Sequence, residues 1–261
     1  MPALTFDAVS KNIFSARDKT AENYRKQLAY LYRIFDYYDW CDLIVTHLSV
    51  RAPDEDALFI IPFGLSFDEV TPGNLVKVDF DGNVLESKCG FQINKNGTTA
   101  HRSIYKNNPE VNCILHTHSH YGVAVGNLSN ELMLLDQIAM MFHEKVGYHE
   151  FKNLFINDAL QEDLLTDMHG KQAVILKNHG LLSVGKTIQE AFWFHYYLET
   201  TCKIQVLTLS TGAKINIPDP QVIQNTADKY DKWRNANDHI SVSDSELLFD
   251  AAKRKVKYMF G

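Results

Sequence analysis

The chain has 261 residues, of which 45% are hydrophobic, 22% charged and 11% aromatic, an ordinary globular composition long enough for one large core. Its formal charge of −6 comes from interspersed signs, which gives no basic field for nucleic acid. No apolar run approaches the roughly 18 residues of a transmembrane helix, and the opening MPALTFDAVSKN lacks the charged and apolar regions of a cleavable signal. A cytoplasmic protein with neither a membrane nor a nucleic-acid partner is therefore expected. Cys41, Cys89, Cys113 and Cys202 show no CxxC spacing, and Cys113 and Cys202 read as reduced core thiols. No Pro/Ser/Gly-rich linker divides the chain, so we expect one domain over 1–261, with an N-terminal arm (1–18) and a C-terminal helical tail (212–261).

Taken in order, a helix is expected from about Thr20 to Tyr38, where Tyr24, Leu28, Leu31, Tyr32 and Phe35 fall at helical spacing. Strands follow at Thr46–Arg51, Ala57–Pro62 and Leu75–Phe80, the last turned by Asp81-Gly82 into Asn83-Val84-Leu85, a strong hairpin signal. Thr98 and Thr99 are candidate caps for a short helix over Ala100–Lys106. After the histidine-rich strand described below, Tyr121–Val125 is a small-residue segment. Residues 136–150 then carry a dense polar group: Asp136, Gln137, His143, Glu144, Tyr148, His149 and Glu150. Asp158–His169 reads as an amphipathic helix and Ala173–Lys177 as a buried strand that turns at Asn178-His179-Gly180. A capping box, Thr187-Ile188-Gln189-Glu190, opens a helix to about Ser210. Its inward stripe includes His195, read as a core histidine. Helices over 220–235 and Asp244–Met259 close the chain, and the Lys253, Arg254, Lys255 and Lys257 cluster is a solvated helix face rather than a nucleic-acid site.

The stretch with chemistry in it is CILHTHSHY, Cys113–Tyr121. Cys113, Ile114 and Leu115 continue a buried-strand pattern, and His116, His118 and His120 follow at a spacing of two. Alternate residues of a strand share a face, so these rings are expected on one side, where two imidazoles can share a divalent cation. His179, in the turn after another buried strand, is the natural third ligand. Three protein ligands with an open fourth position is the pattern of a catalytic zinc site.

Four blocks, THLSVRAP (46–53), LFIIPFGLSFDEVTPGNLVKVDFDGNVL (58–85), AHRSIYKNNPEVNCILHTHS (100–119) and AVILKNHGLLSVGKTIQEAF (173–192), jointly resemble the class II aldolase/adducin head-domain family. The resemblance covers roughly residues 20 to 210. It implies an α/β fold, a three-layer α/β/α sandwich around a large, mainly antiparallel central sheet, assembled as a homo-oligomer (tetramer or dimer). It also implies that His116, His118 and His179 hold a divalent metal, most simply zinc, with iron or manganese as alternatives. The chemistry it implies is reversible cleavage or epimerisation of phosphorylated ketoses through a metal-bound enediolate; for this chain we expect a lyase of that type acting on a small carbonyl or hydroxy-acid substrate.

The sequence departs from the sugar-phosphate aldolases at three places. The family's acid/base carboxylate, four residues before the histidine of the short helix, is Gly97. Its phosphate-binding Gly-Asn turn is Thr46-His47, and its Thr-Gly after the second strand is Phe63-Gly64. His47 and Phe63 are expected to narrow that end of the pocket and favour a small or planar small-molecule substrate. Candidates for a replacement base are Glu144, His143, His149, Tyr148, Asp136 and His120, with Tyr148 or His149 preferred. Ser49 and Arg51 are candidate anchors for an anionic substrate, with a structural role for Arg51 as the alternative. Two other functions fit the same residues: an adducin-like non-enzymatic interaction module, and a non-haem iron oxygenase. Bound zinc favours the lyase, redox-active iron the oxygenase, and absence of metal with no loss of fold in a His116 variant the module.

Overall fold

The protein is described by a computed structural model covering residues 17–88, 90, 92–153, 158–236 and 242–257. Most of the N-terminal arm, Cys89 and the end of the helix expected over Asp244–Met259 lie outside the described residues. The elements in order are α1 (Ala21–Tyr37), β1 (His47–Arg51), β2 (Ala57–Ile60), β3 (Val76–Asp79), β4 (Val84–Glu86), α2 (Lys95–Asn107), β5 (Cys113–Thr117) and α3 (His120–Gly126). They continue with β6 (Val146–His149), α4 (Asp158–Asp167), β7 (Ala173–Leu176), β8 (Gly180–Gly185), α5 (Ile188–Ser210), α6 (Pro220–Ala236) and α7 (Asp244–Val256).

The strands form an eight-stranded sheet in the order β4-β3-β2-β1-β5-β8-β7-β6. Neighbours are antiparallel except β6 and β7, which are parallel. The mainly antiparallel α/β/α sandwich is thus realised. Helix α1 packs on β1, and α5 packs on β5 and β8, with α7 and α3 against α1 and α5. Helices α2 and α4 cover the other face, touching β1, β6 and each other. Strand β5 is buried along its whole length, as a central strand between two layers must be.

Local chemistry explains most element ends. Thr20 caps α1 by accepting from Asn23 N, and Thr187 caps α5 by accepting from Glu190 N. The Glu190 carboxylate accepts from Lys186 N at 2.8 Å, one residue before the cap. The Asp81-Gly82 hairpin forms as expected, with Gly82 at φ 99° and Asp79 Oδ1 accepting from the amides of Asp81 and Asn83.

One expectation is corrected, and two elements appear where the sequence reading named none. Helix α2 begins at Lys95, capped by Asn94 accepting from Gly97 N, rather than at Ala100 behind Thr98 and Thr99. Asn is as good a cap as Thr, and Thr98 spends its hydroxyl on the Asn94 carbonyl. The segment after the histidines is helical, because Ser119 caps α3 by accepting from Gly122 N. The polar group 136–150 ends in a strand, β6, whose alternation is hidden by its partly exposed edge position.

Candidate metal centre

The alternation of β5 sorts the HTHS segment onto two faces. Thr117 and Ser119 turn towards α5, where Thr117 Oγ donates to Glu199 Oε1 at 3.0 Å and Ser119 Oγ to Oε2 at 2.7 Å. His195 completes this buried group, with Nε2 3.1 Å from Thr117 Oγ and Nδ1 3.1 Å from Ser183 Oγ. It is fully buried, a core histidine as the helical stripe predicts. His116 and His118 consequently face the opposite layer. His120 does not join them: the chain leaves the strand at Thr117, and His120 opens α3 in an exposed position.

The third ring arrives from the β7–β8 turn. Asn178 takes a left-handed conformation, φ 55°, and its side chain donates to Asn127 Oδ1 at 3.1 Å; Asn is among the residues that tolerate this region. Gly180 allows the turn to approach β5, since a Cβ there would lie 2.1 Å from the Thr117 carbonyl oxygen. His116, His118 and His179 therefore meet with each pair of ring centroids 4.9 Å apart, and one ligand atom from each lies within 4.8 Å of the others.

Two of the rings are already oriented for a cation. His116 Nδ1 donates to the Leu181 carbonyl at 2.9 Å, and His118 Nδ1 donates to Asp42 Oδ2 at 3.0 Å. Each leaves the Nε2 lone pair free, the usual arrangement behind metal-bound histidine. The buried Nε2 of His118 has no hydrogen-bond partner, which a buried polar atom avoids unless something else satisfies it. Burial and the neighbouring rings hold His116 well below the ordinary imidazole value, and burial followed by His118 holds His179 at about 4. Both are neutral at pH 7, as ligation requires. The residues present fit a divalent metal.

The trio stands at the wall of a cavity of about 250 Å³. His47, Gly97, His101, His149, Glu150 and Phe151 are among its other lining residues, with Val45, Leu160, Leu164 and Leu182 supplying apolar surface. Its two lysines are engaged: Lys152 pairs with Asp163 at 2.6 Å, and Lys177 donates to the Leu128 carbonyl at 3.0 Å. His47 is cross-strand partner to His116, and the rings are 5.2 Å apart. Burial, with His118 and His179 nearby, pushes His47 down to about 3.

Among the expected base candidates, His149 lines the cavity and its Nδ1 donates to Asp167 Oδ2 at 2.8 Å. Tyr148 does not line it. Adjacent strand residues face opposite sides, and the Tyr148 hydroxyl accepts from Leu132 N at 3.0 Å beneath Lys177. Burial raises that phenol to about 12. Asp136 accepts from the amides of Ile138 and Ala139, and His143 bonds Gln224. The expected substrate anchors are also elsewhere engaged. Ser49 is fully buried between His101 and Tyr105, and Arg51 donates to the carbonyls of Val111, Tyr105 and Asn108. Neither lines the cavity; Arg51 ties β1 to the end of α2. Phe63 is exposed outside it, so His47 alone of that pair narrows the pocket. Glu150 and Phe151 also line the pocket, but they lie just past the end of β6, where no strand periodicity marks them in the sequence.

Residues 26–206 match the family model described as Class II Aldolase and Adducin N-terminal domain. An aldolase II superfamily protein from Pseudomonas syringae superposes with a TM-score of 0.84 at 30% identity, over 94% of this chain and 96% of that one. The L-fuculose 1-phosphate aldolase from Glaciozyma antarctica PI12 superposes with a TM-score of 0.77 at 26% identity, over 98% of this chain and 94% of that one. Alpha-adducin of Rattus norvegicus is 35% identical over 200 residues, which are 76% of this chain and 27% of that protein. Among the described residues, no helix is long and apolar enough to cross a membrane.

Proposed function

The chain belongs to the class II aldolase and adducin N-terminal domain family, and from that premise we propose that it is a metal-dependent lyase acting on a small carbonyl or hydroxy-acid substrate. The observation that carries this reading is the trio His116, His118 and His179, with two Nδ1 atoms tied back so that the Nε2 lone pairs are available. These three residues would hold a divalent cation, most simply zinc. When bound, it supplies Lewis-acid polarisation of a substrate oxygen as a neighbouring C–C or C–H bond breaks.

The chain's own residues do the rest. His149, its Nδ1–H directed at Asp167, offers Nε2 to take or return the proton. The apolar wall from Val45, Leu160, Leu164 and Leu182 excludes water from the reacting face. A small substrate is favoured over a phosphosugar because the cavity is modest and both lining lysines are already occupied. We place the protein in the cytoplasm as a homo-oligomer, tetramer or dimer. The exposed apolar run Leu43, Ile44 and Val45 at the rim of the pocket is a surface suited to a second subunit.

The test is elemental analysis of freshly purified protein, followed by an aldehyde-release screen of small hydroxy acids with the metal-loaded form. Zinc or a similar cation at one per chain, lost in His116→Ala together with turnover, is expected. A chain that binds no divalent metal at micromolar concentration, with His116→Ala unchanged in fold, would replace the lyase by an adducin-like interaction module. Bound iron with oxygen consumption would replace it by an oxygenase.

A further inference from the structure

A line of buried polar groups runs through the β1–α2 layer and ends at the pocket. The Tyr105 hydroxyl is 2.9 Å from Ser49 Oγ, which is 2.6 Å from His101 Nδ1; His101 Nε2 is 3.1 Å from His47 Nδ1. All four side chains are buried. Any one of these contacts works in either direction, but a neutral imidazole carries one hydrogen and one lone pair, so the line must run one way through His101.

The direction is decided at the far end. If hydrogens ran from His47 towards Tyr105, the phenol would accept from Ser49 and its own hydrogen would have no acceptor, since among the described residues Tyr105 OH makes no other hydrogen bond. A direction that reverses at Ser49 leaves the serine hydrogen unpaired instead. Unpaired buried donors are costly. Running the other way satisfies every group: Tyr105 donates to Ser49, Ser49 to His101 Nδ1, and His101 Nε2–H to His47 Nδ1. The hydrogen of His47 is then on Nε2. That atom makes no hydrogen bond among the described residues, yet it is not sealed from solvent as Nε2 of His118 is. It lies over Gly97, at the wall of the cavity that holds the three histidines.

We propose that Tyr105, Ser49 and His101 fix the tautomer of His47 so that its Nε2–H is a permanent donor to an oxygen of the bound substrate. The ligand class is a small oxo or hydroxy compound with a carbonyl or carboxylate oxygen beside the metal-facing rings. The role needs a neutral donor of fixed direction, with no change of protonation, so a donor aimed in advance replaces one that must be reoriented. The tautomer itself is independent of the lyase reading; only the identity of the acceptor rests on it.

Nitrogen-15 NMR of the imidazoles in the metal-free protein reads the tautomer directly. Nε2-protonated His47 is expected in the native chain, and a mixture of tautomers in His101→Phe, which removes the N–H donated to His47 Nδ1. Protonation at Nδ1 of His47 in the native chain would overturn the proposal. The second measurement is calorimetric binding of glycolate to zinc-loaded protein. His101→Phe should weaken glycolate by about threefold to tenfold, the worth of one neutral hydrogen bond, with zinc content unchanged. His47→Phe should weaken it at least as much, and His47→Gln, which keeps an N–H donor, should restore part of the loss. Equal glycolate affinity in all four proteins would also overturn it. Failure of the native chain to take up zinc would sink the lyase reading while leaving the NMR result to stand or fall alone.

Discussion

Asp42 Oδ2 accepts a hydrogen bond from Nδ1 of His118 at 3.0 Å, although the two residues lie far apart in the chain. The carboxylate is half exposed, so its value as an ion pair is small; its effect is to fix which nitrogen of His118 faces the other two rings. Removing such an outer partner typically costs about 10–100-fold in metal affinity. Asp42→Ala is therefore expected to weaken zinc by that factor in a chelator competition, with the fold intact. Unchanged affinity would mean that the pair is incidental.

Glu199 is the corresponding anchor on the other face. It is buried, accepts from Thr117 and Ser119, and sits 3.4 Å from His195 Nε2. Glu199→Ala leaves the buried Thr117 and Ser119 hydroxyls without the acceptor of their hydrogens, and is expected to destabilise by about 3–5 kcal/mol, the worth of two hydrogen bonds to a charged group. Glu199→Gln keeps the shape and half of the acceptors, and should cost less than half as much. Urea unfolding measures both, and near-equal losses would show that packing rather than polar pairing carries the effect.

Gly97 and His47 should be energetically coupled. A Cβ on Gly97 would lie 1.9 Å from Nε2 of His47, a clash worth about 1–3 kcal/mol. Ala is otherwise favoured over Gly in a helix by up to about 1 kcal/mol, so the clash wins in the native background. Gly97→Ala is expected to destabilise the native chain but to be neutral or mildly stabilising in His47→Ala. A double-mutant cycle measures the coupling, and additive effects would place the two residues apart.

Acid should weaken the metal-free protein before its carboxylates titrate. His47 is held at about 3 and His179 at about 4, chiefly by burial, whereas each titrates near 6.5 when unfolded. The unfolded chain therefore binds more protons across this window. The stabilisation is full above about pH 6.5 and is lost as pH falls below it. Between pH 7 and 5.5 the two rings together should cost about 2–3 kcal/mol. Unfolding curves at the two pH values test this, and equal midpoints would show that the rings protonate in the folded state.

How far the sequence reveals this arrangement differs between elements. The HTH segment and the NHG turn were legible because strand alternation and a turn glycine act locally, and the same periodicity marked His195 as core. His120 was misplaced because its spacing matched the strand while Ser119, a helix cap, had already ended it. Ser49 and Arg51 read as polar anchors since residue type carries no record of partners; their partners, His101, Tyr105 and the Val111 carbonyl, come from α2 and the loop beyond it. The filling of the Gly97 space by His47 was out of reach for the same reason: the two are neighbours only once β1 and α2 are packed.

His116 on β5, His118 just beyond its end and His179 on the β7–β8 turn are brought together by the folded sheet. An ion clasped by all three is therefore a chelate that an unfolded chain cannot reproduce well. Its binding free energy would add to folding, by about 4 kcal/mol when the free ion exceeds its dissociation constant a thousandfold. Heat resistance would then become a gauge of ambient metal. The same chain would be a sturdy protein where the ion is plentiful and a fragile one, open to proteolysis, where it is scarce.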